Sequence, residues 1–466
     1  MRKGLKGILA AVLGLVAVVS MTGCGAKHTG TANDGITKNE DGTYTVRVGN
    51  TNAAALLPTV FGPMEYGLQA YAWYYGEHEN EGKVKIDYIH LDDGYSATTR
   101  AVNTEQLINR EKVFGIVYGY DDQANALEEA NKVMVYTPLT MDYYHDADKE
   151  ASPFLPIQPI DYVEGKQLVA SAFAKGEAGF GASKVGVIAG LGTTGVDEVK
   201  GMRDEIKVLK KTENTDFFVQ TAANDASTDY TAAVTALKNA GVDVVILTDV
   251  VFLSVINAIV ASNWEGVKVL ASYKFSNAYY LSAAYLAGIL NNNRGLFTTG
   301  WIAAGPQNTS TLAEWEHYVE VLTLYSKHMN DGLITTREAE AEKVGGSPTV
   351  VGDLQEKYEW ARDGVSSYFF DSYTMAGYEG MYVFAEGLTY LYKAKLLDGA
   401  STEDYVAQFE KNGMHIPMST VEVSLKDGQR TGAVAMTLVQ VTANNFTLGE
   451  AYRDFYDLPA LEKAAK

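Results

Sequence analysis

Cysteine is nearly missing from this chain: 466 residues contain one, Cys24. A single thiol excludes an intramolecular disulfide framework and a cysteine-based metal site. Histidine is sparse as well, with seven residues that do not cluster. His90 and His145 show no ligand spacing, so no metal site is expected. Positive charge is also short, with 38 Lys and Arg against 58 Asp and Glu and a formal net charge of -20. Nucleic acids and anionic lipid surfaces need a basic footprint, so neither is expected as a partner for the folded body. Long apolar runs are absent beyond the N-terminus, where "ILAAVLGLVAVVSM" covers Ile8 to Met21. That run falls short of the roughly 20 apolar residues a spanning helix needs. Nucleophile elbows are absent too, since neither "GASK" nor "TTG" has the required context, and nothing gives the pair Asp92 and Asp93 acid–base work.

What is present starts with a three-part N-terminus. Arg2, Lys3 and Lys6 precede the apolar run, and "MTGC" closes it at Cys24. This is the shape of a secretory signal. Small residues directly before a cysteine resemble the lipobox of bacterial lipoproteins, which implies a signal peptide over 1–23, cleavage before Cys24 and acylation of that residue. An ordinary signal peptide with a chance cysteine is the alternative. Each buried CH₂ is worth ~0.8 kcal/mol, so several acyl chains would hold the protein on a membrane. Losing three cations with the signal takes the net charge from -20 to -23. Residues 24–42 lack apolar periodicity and read as a flexible tether.

The body of about 440 residues exceeds one hydrophobic core and predicts two domains. From Thr43 short β-rich runs alternate with amphipathic stretches: "TYTVRVGNTN", "KVKIDYIHLDD", "VFGIVYG" and "VMVYTPLT" as strands, with helices between them. After a Pro- and acid-rich interruption the rhythm restarts with "KVGVIAG", "TDFFVQTA", "VDVVILTD" and "VKVLASYKF". Apolar strands separated by helices indicate parallel βαβ units covered on both faces. Two such sets predict two doubly wound lobes with a cleft at the carboxyl ends of the strands. The stretch "AGLGTTG" carries a literal G-x-G-x-x-G at Gly190, Gly192 and Gly195. A dinucleotide reading fails because the next strand ends in Thr221 and Ala222, not in an acid for a ribose hydroxyl. No cofactor is therefore expected, and the turn should instead bring Thr193, Thr194 and helix N-terminal amides to the cleft wall.

Strand-end residues supply further candidates. Tyr118, Tyr120 and Asp121, with Asp122, could combine aromatic contact with a cation-holding carboxylate. One of the two acids could instead cap the next helix. Asp249 divides evenly between site and cap. Lys274 reads more readily as a surface lysine than as an anion partner, and "YAWYYG" as cover for the sheet.

Several stretches together resemble the type I periplasmic binding proteins of the Leu/Ile/Val-binding group, solute-capturing subunits of ABC transporters. They are "HLDDGYSATTRAVNTEQLI", "TDYTAAVTALKNAGVDVVIL", "SYTMAGYEGMYVFAEGL" and "VSLKDGQRTGAVAMTLVQV". The resemblance implies an α/β fold of two doubly wound parallel-sheet lobes joined by a three-strand hinge. It places 43–161 with 295–413 in the N-terminal lobe, 162–294 with 414–448 in the C-terminal lobe, and 449–466 in a tail. It also implies that Phe61 lids the pocket and that Gly119 stands where amino-acid binders have a serine. Leu139, Thr140 and Met141 would complete a carboxylate site, and Thr194 would line the second lobe. Near Tyr273 the family places an acid for the ligand ammonium, whereas this chain has "SYKFSN". The implied function is an exported, lipid-anchored, monomeric binder that passes an amino acid, or a related amide, amine or aromatic acid, to an ABC permease. The alternative is a receptor domain reporting the ligand to a signalling partner. An enzyme on this fold would need a reactive constellation that the sequence does not display.

Overall fold

The computed structural model describes residues 30–135, 154–225, 227–276, 278–300, 312–330, 372–419, 423, 435–441 and 456–466. Two sheets organise them. In the first, β2 (Tyr44–Asn52) runs parallel to β3 (Val84–Asp92) over nine residue pairs. Its other edge takes β1 (Ile36–Lys38) antiparallel and then β4 (Gly115–Val117), followed by β5 (Val133–Val135) and β6 (Phe154–Leu155) in parallel. In the second sheet, β7 (Val185–Gly190), β8 (Phe217–Ala222), β9 (Val244–Thr248), β10 (Lys268–Ala271) and β11 (Gly295–Gly300) are parallel in the order β8-β7-β9-β10-β11. The antiparallel strands β12 (Ala435–Gln440) and β13 (Tyr456–Asp457) extend it.

Burial explains why these strands read as apolar throughout. Val185, Val187, Val244 and Ile246 face one core, while Ile188, Val245 and Leu247 face another on the opposite side. A strand covered on both faces has no polar alternation to show. The helices of the first lobe are α1 (Pro58–His78), α2 (Ala97–Asn109), α3 (Ala124–Glu129), α9 (Leu312–Met329), α10 (Ser372–Lys393) and α11 (Thr402–Asn412). The second lobe carries α4 (Asp161–Phe173), α5 (Thr193–Val208), α6 (Thr231–Asn239), α7 (Phe252–Ala261), α8 (Ala278–Leu286) and α12 (Leu458–Ala465). No helix among the described residues is long and apolar enough to cross a membrane.

In each lobe two of the described helices approach backbone to backbone through glycines. A Cβ on Gly67 of α1 would collide with the Thr374 carbonyl of α10, and a Cβ on Gly377 of α10 with the Met64 carbonyl of α1. In the second lobe Gly165 of α4 meets the Glu198 carbonyl of α5, and Gly201 of α5 meets the Tyr162 carbonyl of α4, in the same reciprocal way. Tyr71 and Tyr75 in "YAWYYG" are buried at the first of these contacts. Tyr71 lies 5.1 Å from Tyr378, and Tyr75 shares a 3.0 Å hydroxyl contact with Thr389. They line a helix interface, not only a sheet.

Two segments sit differently from the sequence expectation. Gly295–Gly300 is hydrogen-bonded between β10 and β12, within the second sheet, where Leu296 and Phe297 enter its cores. Residues 456–466, read as a tail, form β13 and α12, and the Ala464 carbonyl accepts from the Lys175 amide beyond α4. Beneath this helix, Glu205 and Gln167 are buried with no hydrogen-bond partner among the described residues. Burial and then Glu462 push the Glu205 carboxyl up to about 7, against Lys166 and Lys466. The protonated folded form is thus favoured, so this group's contribution is full below pH 4.5 and lost as pH rises toward 7. With screening by the two lysines, Glu205→Gln is expected to relieve about 1–2 kcal/mol at pH 8 and almost nothing at pH 4.5. Denaturation midpoints across that range check this, and parallel curves for the two proteins would contradict it.

Candidate functional site

The carboxyl ends of the strands in both sheets converge. From the first lobe, Tyr95 follows β3 and Tyr118 directly follows β4; from the second, Asp249 directly follows β9. All three have left-handed backbone, with φ of 59°, 62° and 49°. That region is costly for a bulky side chain, about 1–3 kcal/mol each, and such strain gathers at sites where geometry matters. Phe61 of α1, 6% exposed, packs 6.3 Å from Tyr95 and 6.4 Å from Tyr373 of α10. The Tyr373 hydroxyl donates to the Lys274 carbonyl at 3.2 Å, which ties the first lobe to the loop after β10.

The first-lobe wall is held by Arg100 of α2. Its guanidinium lies 3.8 Å from the Tyr120 ring centroid, pairs with Asp122 at 3.1 Å and reaches Asp93 at 3.4 Å. Gln123 fixes the turn by accepting from the Tyr120 amide at 2.8 Å and donating to Thr104 at 2.7 Å. Burial raises the Tyr118 and Tyr120 hydroxyls well above the usual range, so both stay neutral. The end of β2 is pinned below them, where Asn52 donates to Glu65 at 2.6 Å and Tyr88 donates to the same carboxylate at 2.9 Å.

The second-lobe wall centres on Lys274. Asp161 and Glu164 occupy the first turn of α4, where a helix N-terminus favours negative charge, and lie on one face at i, i+3. With Glu198 of α5 they surround the Lys274 ammonium at 2.9, 2.9 and 2.5 Å. The three acids have the spacing of a metal site, yet the ammonium occupies their common centre. Burial works against the charged lysine, but Asp161, Glu164 and Glu198 outweigh it and hold its pKa well above normal. Burial conversely raises Asp161, and raises Glu198 strongly against the pull of Lys274. Glu164 also accepts from the Tyr273 amide at 3.1 Å and from Thr299 at 3.3 Å.

The expected site residues divide clearly. Phe61, Tyr118, Tyr120, Tyr273 and Asp249 belong to the walls just described. Thr194 is half-buried at the start of α5, whereas Thr193, the first residue of that helix, is exposed. Gly119 is buried against Met134, whose sulfur a Cβ would strike, so this position offers backbone alone. Asp122 serves Arg100 and caps no helix; Asp121 lies in a short turn and its side chain is outside the described residues. Asp249 does not cap α7, which begins at Phe252. It accepts from Asn224 at 2.9 Å and from the Gly195 amide of α5 at 3.4 Å. Cβ atoms on Gly190 or Gly192 would collide with Asp249, which is why that turn needs glycine. Leu139, Thr140, Met141 and Cys24 lie outside the described residues.

Lys274, read as a surface lysine, is instead enclosed by carboxylates. Sequence reasoning missed Tyr95, Arg100, Tyr373 and the acids of α4 and α5. The one available signal was the pair Asp161 and Glu164 at helix spacing. A hollow of about 370 Å³ lined by Phe180, Asp243, Trp264 and Lys268 lies at the amino ends of β7, β9 and β10. That is the edge away from the converging strand ends.

A family model described as "periplasmic binding protein" matches residues 54–445. No curated protein matches the chain in sequence. Among solved structures, the chain is similar to a leucine binding protein from Thermotoga maritima, at 14% identity and TM-score 0.58 over 88% of this chain and 97% of that one. It is similar to an ABC-transporter solute binding protein from R. palustris in complex with 4-hydroxybenzoate, at 14% identity and TM-score 0.62 over 89% and 98%. A branched-chain amino acid transporter substrate binding protein from Streptococcus pneumoniae, in complex with isoleucine, shows 12% identity and TM-score 0.58 over 87% and 97%.

Proposed function

This chain belongs to the periplasmic binding protein family, and from that premise we propose that it is a lipid-anchored solute receptor of an ABC importer. The family places it outside the cytoplasm and gives it a solute-binding role. In our reading Cys24 carries the acyl anchor, and the solute, an amino acid or a related amide, amine or aromatic acid, lies between the two walls. The protein works as a monomer and delivers its load to a membrane permease. A receptor that signals without transport is the second reading, and it uses the same cleft.

The observation that supports this most is the meeting of Phe61, Tyr95, Tyr118 and Tyr373 with the Lys274 loop across the lobes. A solute touching both walls binds the closed form better than the open one. It therefore shifts the hinge equilibrium without any separate trigger. A thermal-shift screen of the purified chain against amino acids, amides, amines and aromatic acids tests the role. A true ligand at 100 times its dissociation constant adds about 2.7 kcal/mol. No stabilisation by any class would count against the role. Cys24→Ala should move the protein from the membrane to the soluble fraction, and unchanged retention would remove the anchor from the proposal.

A further inference from the structure

With Cys24 acylated, a premise carried over from the proposed function, the membrane is joined to a body that starts only a few residues later. Residues 24–42 read in sequence as a flexible tether, yet 30–42 fold onto the first lobe. Gly30, with a left-handed φ of 82°, leaves no room for a Cβ against the Glu403 carboxylate of α11. The Asn33 amide donates to the Ala400 carbonyl at 2.8 Å, and its side-chain nitrogen lies 3.2 Å from the Phe114 and Asn131 carbonyls. Its side-chain oxygen accepts from the Gly35 amide and from the Lys132 ammonium, both at 3.0 Å. Lys132 is 5% exposed and also pairs with Asp34 at 2.5 Å. A Cβ on Gly35 would strike the Phe114 backbone, and Ile36–Lys38 then joins the sheet as β1.

These contacts fall on one edge of the lobe. Phe114 directly precedes β4, Asn131 and Lys132 directly precede β5, and Ala400 lies just before α11. Asn33 therefore fastens the chain at the amino ends of the first sheet, opposite the carboxyl ends that face the cleft. Six residue steps separate Cys24 from Gly30, and a chain reaches at most ~3.3–3.6 Å per step, about 20–22 Å in all. That bound holds whatever path the six steps take. Strand β2 alone, with nine residues, spans roughly 26–30 Å, so the leash is shorter than the lobe it holds. Without the Asn33 fastening the leash would run to Ile36, twelve steps and about 40–43 Å. The fastening halves the distance the body can stand from its anchor.

We infer that the amino-end edge of the first lobe is the membrane-facing surface of this protein, held within about 20–22 Å of the lipid by the Asn33 fastening. The second lobe is then the half that swings when the hinge closes.

Resonance energy transfer from the acylated protein to an acceptor dye at the headgroups of phosphatidylcholine vesicles tests this. Acylation consumes the Cys24 thiol, so an introduced cysteine is the one labelling point. Donors go at Glu129→Cys, exposed beside Asn131, and at Glu265→Cys, exposed at the amino ends of the second sheet. Transfer should be at least about twofold greater from the first position, since the leash is shorter than one lobe. Adding Asn33→Ala should lower transfer from that position, because the leash then doubles. Hydrogen exchange on the same protein in detergent reads the fastening without the membrane. The Gly35 amide should be protected in the unaltered chain, and Asn33→Ala should speed its exchange at least about fivefold, as loss of one hydrogen bond implies. Retention on the vesicles with equal transfer from the two positions would overturn the inference and leave the anchor intact. Fast exchange at Gly35 in the unaltered chain, or transfer indifferent to Asn33→Ala, would overturn it as well. Failure of the protein to stay on the vesicles would remove the anchor reading itself, and the inference with it.

Discussion

Lys274→Met is expected to cost the folded state about 3–5 kcal/mol. The reason is what stays behind. Asp161, Glu164 and Glu198 are each 0–1% exposed at the side chain and share one ammonium. Removing one partner of a buried ion pair leaves uncompensated charge, which costs far more than the pair itself contributes. Here a single deletion strands three carboxylates. They can escape only by taking up protons, and burial already raises Asp161 and Glu198. Without the lysine the carboxyls of Asp161 and Glu198 lie further above their unfolded values, so the deficit should grow as pH rises and shrink toward pH 5. Urea midpoints at pH 5 and pH 8 give both numbers. Adding Glu164→Gln and Glu198→Gln to Lys274→Met should recover much of the loss, since neutral amides need no counter-charge. A loss under 1 kcal/mol at pH 8, or no recovery in the triple variant, would show that the cluster is screened by water.

The same cluster shows where sequence reasoning stops. The alternation of apolar strands and helices was legible because strands such as β7 and β9, buried on both faces, leave an unbroken apolar run. The rule that ligands lie beyond strand carboxyl ends then pointed to the loops holding Tyr118, Asp249 and Tyr273, which the fold brings to one edge. The role of each residue was not legible. "SYKFSN" shows a lysine between small polar and aromatic residues, while its partners Glu164 and Glu198 stand 110 and 76 residues away. Periodicity records which face of an element is buried, not which distant charge will meet it. Tyr95 was hidden for another reason. It sits in "DDGYS", which reads as an ordinary turn, and only its left-handed backbone and its contact with Phe61 mark it. The boundary at Gly295 slipped because a crossing chain and an ordinary parallel strand have the same composition; the register with Lys268–Ala271 settles that strand. The glycines of "AGLGTTG" are the converse case. The motif was real, but Gly190 and Gly192 answer to Asp249 pressed against the turn, a partner that no local pattern contains, while Gly195 packs on the Gly190 carbonyl.

Gly165→Ala is expected to cost about 1–3 kcal/mol despite the gain in helix propensity. The added methyl would overlap the Glu198 carbonyl, a backbone atom that cannot rotate aside. Gly201→Ala should cost a similar amount at the Tyr162 carbonyl, because the two glycines set one helix separation from opposite sides. The comparison that isolates this cause is Gly62→Ala in α1. A Cβ there meets nothing within 4 Å, so the variant should gain up to about 1 kcal/mol from propensity alone. Opposite signs for one chemical change, read as shifts in denaturation midpoint, separate close approach from helix preference. Equal effects would mean that α4 and α5 part without cost. The consequence reaches the cleft, because α4 brings Asp161 and Glu164, and α5 brings Glu198, to the same ammonium. Any separation of the helices lengthens those pairs and loosens the loop that holds Tyr273. Gly165→Ala should therefore weaken solute binding through a wall it does not touch, whereas Gly67→Ala, at the matching contact between α1 and α10, should lower stability while leaving the Lys274 pairs in place.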